Sequence, residues 1–391
     1  MKIPLSYGVR SLLVRKTTSI ATVLGIALVV LVLASSLMLA AGVRQTLTSS
    51  ASSENVVVLR KGADSELTSS VPSDSLGIVL AAPGVKRNAA GQPLGIGDLV
   101  VVLAMNRVGG EPGQLSSVLT RGIQSNAFEM RPQVRLIQGR QARAGTDEAI
   151  VGKGVLGRCK GLTLGSSFEL RKGRSVTVVG VFEAQGSSFE SEVWLDVETL
   201  RSAVGRDGLF SSLTVALESA EKYDTFSAAV VNDKRLGLEV LHERAYYEKQ
   251  SEGTSMVVST LGVITAVFFS IGAIIGAAIT MYGSVAQRSR EIGTLRALGF
   301  SRRAILTTLT LESTILALTG SAIGSAFSLL TSFFKISTIN YNTWQEISFS
   351  FQPSTKALLT AIIAGGLIGF VGGFWPALRA ARTSPLEAMR A

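Results

Sequence analysis

Cys159 and His242 are the only thiol and the only imidazole in the chain. A zinc site draws on three or four such ligands, and a nucleophile needs a base beside it. A lone cysteine cannot close an intrachain disulfide. Cys159 therefore reads as a small buried core residue, and His242 as a surface or helix-end residue. The phosphate-cradling pattern G-x-x-x-x-G-K-[ST] is missing: "VGKG" at 151–154 lacks both the upstream glycine and the hydroxyl. Neither G-x-S-x-G nor H-E-x-x-H occurs. No catalytic, cofactor-binding or metal-binding residue is expected, and the chain does not read as an enzyme.

Two charged features suit mechanical work better than covalent chemistry. Glu312 follows Arg303 by nine residues, roughly 13 Å along a helix. A carboxylate inside a bilayer costs at least ~2.5 kcal/mol unless it is paired or faces protein. Glu312 reads either as a bridge between helices near the cytoplasmic side or as an interfacial residue. The second feature is "QRSREIGTLRALGFSRRAIL" (287–306), where Arg288, Arg290, Arg296, Arg302 and Arg303 stand against Glu291 alone. As a helix it places Ile292, Leu295 and Gly299 on one face, with Arg290, Thr294 and Ala297 opposite. Gly299 suits a helix C-terminus and Ser301 can cap the next helix. Such a lever can dock into a cytoplasmic partner; an inert, lipid-bound loop is the alternative.

The elements around this segment are unusually apolar. The chain is 47% hydrophobic and 17% charged. Charge-free blocks fill 17–43, 253–287, 313–334 and 357–378. About 20 apolar residues cross the hydrocarbon core, so the blocks predict four spans. The first exceeds the roughly 7–15 residues of a signal-peptide core and is expected to stay as an anchor. Lys2, Arg10, Arg15 and Lys16, the arginines of 288–303, and Arg379, Arg382 and Arg390 form three basic flanks. Four crossings put all three on the cytoplasmic side, with both termini. Residues 44–254 carry 24 basic and 24 acidic side chains, so the net charge of +10 sits at the membrane flanks. Membrane lipids are the expected partner of that charge, and nucleic acid is not.

Residues 44–254 are the one large extramembrane region. Alternation and β-branched content predict strands at 54–60, 98–105, 148–152, 167–171, 175–183, 192–196 and 212–218. Helical spacing marks 73–82, 196–204, 220–232 and 241–250. This is an α+β pattern with a strand-rich insert near 115–200, and "TSSASSE" before it reads as a linker. Ahead of the first span, Pro4, Leu5, Val9, Leu12 and Leu13 suit an amphipathic helix in the interface. Gly272 and Gly276, Gly320 and Gly324, and Gly365, Gly369 and Gly373 form GxxxG pairs in the last three spans, a pattern that lets helix backbones approach closely.

"SREIGTLRALGFSRRAIL" and the span carrying Glu312 resemble the signature of FtsX/MacB/LolC-type permeases of ABC transporters. "PALRAARTSPLEAMRA" (376–391) is similar to that family's cytoplasmic tail, and "VRSLLVRKTTSIATVLGIAL" to its first membrane segment. Residues 139–186 look like its extracytoplasmic core domain, so the resemblance covers most of the chain. It implies an α-helical membrane protein with four transmembrane helices and a large α+β extracytoplasmic domain inserted between the first and second. The expected organisation is an amphipathic helix (1–17), spans at 18–43, 255–287, 304–334 and 357–376, a MacB-like core domain (44–254), a coupling helix (288–303), an extracytoplasmic loop (335–356) and a cytoplasmic tail (377–391). The expected location is the bacterial inner membrane.

The implied function is the permease subunit of a mechanotransmission-type transporter that exports or extracts a lipid, lipoprotein, peptide or drug. The resemblance implies a separate cytoplasmic ABC ATPase carrying ATP and Mg. It also implies a second permease copy, as homodimer or heterodimer, and admits a periplasmic adaptor. Arg290, Glu291, Ile292, Leu295, Arg296, Leu298 and Gly299 would form the ATPase-coupling helix. The alternatives are an FtsX-like subunit that activates an outer partner such as a cell-wall hydrolase, and a membrane-anchored enzyme or receptor acting through 44–254.

Overall fold

The computed structural model describes residues 16–111, 113–340 and 343–383. The amphipathic helix expected at 1–17 falls outside them except for its last two residues, as does the tail beyond 383. The chain divides into two compact units. One comprises residues 42–255 with 335–350; the other holds the rest.

The first unit is built on a mixed sheet. In chain order its strands are β1 (Asn55–Arg60), β2 (Val71–Pro72), β3 (Gly95–Asn106), β4 (Leu115–Ile123), β5 (Arg135–Gly139), β6 (Glu148–Gly152), β7 (Ser167–Arg171), β8 (Arg174–Glu183), β9 (Glu192–Asp196), β10 (Leu209–Phe210), β11 (Ser212–Ala216) and β12 (Leu238–His242). Ten of them pair in the order β12-β1-β11-β3-β4-β9-β6-β8-β5, with β7 on β8; β2 and β10 form a separate ladder. Pairing is antiparallel except for β4 with β9 and β6 with β8. Short helices α2 (Ser75–Leu80), α3 (Ala127–Met130), α4 (Val197–Val204) and α5 (Tyr223–Val231) connect the strands. Asp196 caps α4 by accepting the Thr199 amide, and Gly205 at φ 68° ends it. One apolar core runs from Val56 through Leu99, Phe168 and Val193 to Phe226, and it contains Cys159. Burial pushes the Cys159 thiol up, and His242 stacks on Tyr223 with ring centroids 3.8 Å apart.

β4, β5 and β12 escape the periodicity reading. "LSSVLTRGI" breaks alternation because Arg121 is buried in its second half, and Leu241 and His242 end a strand instead of opening a helix. Arg121 donates paired bonds to Glu66 (2.9 and 3.1 Å) and to Glu192 (2.8 and 3.0 Å), and one to Asp98 at 3.2 Å. Arg131 also pairs with Asp98 and lies over the Phe189 and Trp194 rings. Residues 335–350, expected as a loop, form a hairpin of β13 (Lys335–Ile339) and β14 (Glu346–Ser350). It belongs to this first unit: Glu346 is held by Ser116 and Arg158, Gln345 donates to the Ser191 carbonyl at 3.2 Å, and Ile347 and Phe349 are buried.

The second unit is helical. α1 (Lys16–Thr48), α6 (Glu243–Gln287), α8 (Arg302–Leu329) and α9 (Thr355–Arg382) are long and apolar enough to cross a membrane, which gives four membrane helices among the described residues. α1 continues past the expected end at 43 to Thr48, and α6 begins at Glu243, ahead of the expected start at 255. α9 runs beyond 376 because Pro376 is accommodated inside the helix. The remaining helix, α7 (Ser289–Ala297), lies between α6 and α8.

Candidate functional site

α7 is the short basic helix singled out in the sequence. Arg288, at φ −108° and ψ 14°, breaks the chain out of α6 before α7 starts. Gly299 ends it at φ +90°, a conformation other residues adopt at a cost. The Gly299 amide reaches the Arg296 carbonyl and the Phe300 amide the Leu295 carbonyl, satisfying the last turn. Ser301 then caps α8, its hydroxyl accepting the Ala304 amide at 3.2 Å.

The helix is held from beneath. Ile292, 7% exposed, packs with Met281, Ile305, Leu309, Ala377, Ala380 and Ala381 from α6, α8 and α9. The small Gly293 beside it is also buried. Arg288 turns inward and donates Nη1 to Glu312 Oε2 at 3.3 Å and Nε to Glu291 Oε2 at 3.2 Å. Arg288 and Glu312 are both buried. The carboxylate whose place the sequence left open thus bridges α8 to the start of α7.

The opposite face is open. Arg290, Glu291, Thr294, Ala297 and Leu298 are exposed, Leu298 to 67%. Leu295 and Arg296 are half-buried, with Arg296 Nη1 on the Phe300 carbonyl at 3.2 Å. Of the expected contact set, Ile292 faces the bundle, whereas Leu298 faces outward beside Arg290 and Thr294. Spacing alone could not decide this, because both faces carry apolar residues.

The glycines separate into two groups. A Cβ on Gly320 would meet the Val23 carbonyl of α1 at 2.7 Å, and one on Gly324 would collide with Ala27. On α9, Gly365, Gly369 and Gly373 lie against Ser321, Ala317 and Ser313 of α8, where Ser313 also donates to the Gly369 carbonyl at 2.6 Å. Gly272 and Gly276 differ: no atom lies within 4 Å of an added Cβ. Instead of packing another helix, they line an apolar cleft of about 350 Å³ between α1 and α6, together with Gly25, Phe268 and Phe269. Among the described residues no cluster of three or more His, Cys, Asp or Glu side chains is placed to hold a metal.

Residues 19–233 match the profile of a MacB-like periplasmic core domain, and residues 263–385 that of an FtsX-like permease C-terminal region. An uncharacterized ABC transporter permease of Bacillus subtilis, YknZ, is 28% identical over 56% of this chain and 55% of its own length. A macrolide export ATP-binding/permease protein MacB of Hahella chejuensis is 30% identical over 52% of this chain and 27% of its own. The chain thus spans between about a quarter and just over half of these two curated relatives. Among solved structures, the extracellular domain of a noncanonic ABC-type transporter YknZ from Gram-positive bacteria is 19% identical. That match covers 48% of this chain and 99% of the other, with a TM-score of 0.36.

Proposed function

The chain belongs to the MacB-like and FtsX-like family of ABC transporter permeases, and from that premise we propose that α7 is where a cytoplasmic ATPase engages it. The permease passes the ATPase's motion to the sheet unit on the other side of the inner membrane and so exports or extracts its substrate. ATP and Mg belong to that partner. A second permease copy completes the assembly, and both termini lie in the cytoplasm. The supporting observation is the two-faced mounting of α7. Its inner face is fixed by Ile292 and the Arg288–Glu312 pair, while Arg290, Thr294 and Leu298 are exposed on the outer face. A helix mounted this way passes a push into α6 and α8 without first rearranging. The arrangement of basic and acidic groups around one exposed leucine suits a partner groove with an apolar floor and a charged rim.

The test is a detergent pull-down of the tagged full chain from its native host. Wild type should recover an ABC ATPase in stoichiometric amount, and Leu298→Asp should lose it while remaining folded by size-exclusion chromatography. Absence of an ATPase from the wild-type sample, or undiminished recovery with Leu298→Asp, overturns the assignment.

A further inference from the structure

The sheet unit buries more negative charge than it neutralises. Among the described residues, Glu66, Asp98, Glu192 and Glu243 are sequestered with Arg121 and Arg131, all six at 8% exposure or less. Fully ionised, the group would hold two uncompensated charges where an unpaired one is severely penalised. Glu66 and Glu192 take bidentate bonds from Arg121, and Asp98 is held by both arginines. Glu243 takes neutral donors instead: the Ser52 amide at 2.7 Å and the Asn55 side chain.

The position of Glu243 gives this chemistry a mechanical meaning. It is the first residue of α6 and lies within residues 42–255, well before the apolar stretch that crosses the membrane. Ser52 follows the end of α1 by four residues. The Ser50 hydroxyl bonds that of Ser188 at 2.8 Å, and the Ser50 carbonyl accepts from Gln133, so Ser52 is the next point at which this segment is tied down. Around Glu243 stand Arg131 after α3, Glu66 after β1, Asn55 on β1, and Tyr247 on its own helix.

We propose that Glu243 is a proton-operated clasp, which when protonated ties the segment leaving α1 to the first turn of α6 and when ionised drives that tie to open and admit water. Burial pushes Glu243 up to about 7, with Glu66 adding to the rise and Ser52, Arg131 and Asn55 opposing it. Opened to solvent, the carboxyl returns toward its ordinary value of 4.5. Opening therefore releases a proton between these limits. The tie is firmest below pH 4.5, weakens by up to about tenfold per pH unit as pH rises toward 7, and levels off above it. Glu192 is also raised, by burial first, whereas for Glu66 burial is the largest single influence but the charge and hydrogen bonds of Arg121, with Ser212 and Arg131, together outweigh it and the net shift is downward. The clasp is independent of which partner occupies α7.

Hydrogen exchange on the full chain in nanodiscs between pH 5 and 8 tests this, with protection corrected for the intrinsic pH dependence of amide exchange. In wild type the protection of Ser52 should fall by up to about tenfold per unit between pH 5 and 7, then flatten. Glu243→Gln keeps an acceptor oxygen but cannot ionise, and should show no slope. A flat wild-type profile, or an equal slope in Glu243→Gln, overturns the proposal. Should that variant not fold, wild type alone decides through the breadth of the effect. A pH response confined to residues 49–55 and the first turn of α6 supports the clasp; the same response throughout β4 and β9 assigns the titration to the Arg121 cluster and overturns it.

Discussion

Ile292 and Leu298 are apolar residues of one short segment that face opposite ways, and substitution should separate them. Ile292→Asp places an unpaired carboxylate among Met281, Leu309 and Ala377 and should cost about 3 kcal/mol or more. Leu298→Asp, on the open face, should change stability by no more than about 0.5 kcal/mol; detergent melting curves check both. Glu312→Ala leaves the buried Arg288 without the partner at 3.3 Å, and loss of one member of a buried pair costs roughly 3–5 kcal/mol. Arg288→Met/Glu312→Leu should cost clearly less than the sum of its single substitutions, because no charge is then stranded. The sequence marked Glu312 as a buried-charge problem but did not name its partner, which sits 24 positions away on another element. Arg121 is a harder case: its carboxylates lie 55, 23 and 71 positions off, with Asp98 and Glu192 brought in by the strands beside β4 and Glu66 by the turn after β1.

At the scale of elements, the two sets of glycines make opposite predictions. Gly369→Val drives two methyl groups into Ala317, and Gly324→Val does the same against the Ala27 backbone. Each should destabilise by about 1–3 kcal/mol or separate the helices. Gly276→Val fills open space and should leave the melting temperature of the isolated chain unchanged within about 1 °C. The GxxxG spacing was visible in the sequence for all three helices, but it cannot tell a glycine facing a neighbour from one facing a cleft. The long helices were legible because roughly 20 apolar residues admit few other readings. Strands were legible where alternation is regular, as in β8, and lost where a buried ion pair interrupts it, as in β4. The end of α7 was also legible, since the positive φ at Gly299 and the cap at Ser301 are local requirements met by local residue types.

For the whole molecule, orientation is the proposal most open to direct measurement. In a Cys159→Ala background, a membrane-impermeant thiol reagent applied to intact cells should label Glu111→Cys, at the exposed tip between β3 and β4, and leave Leu298→Cys unlabelled until the membrane is permeabilised. Labelling of Leu298→Cys in intact cells would place α7 on the wrong side for an ATPase. The division into a membrane part and a globular part followed from charge distribution, but the membership of residues 335–350 did not, because a short neutral stretch between two spans carries no mark of what it packs against. That hairpin has a consequence for biosynthesis. A ribosome finishes strand β12 and then two further membrane helices before it delivers Glu346 to Arg158 and Ser116. Until then the nascent globule lacks its last piece, and a recombinant fragment cut at 255 would leave Ser116, Arg158 and Ser191 without the partners that the hairpin brings.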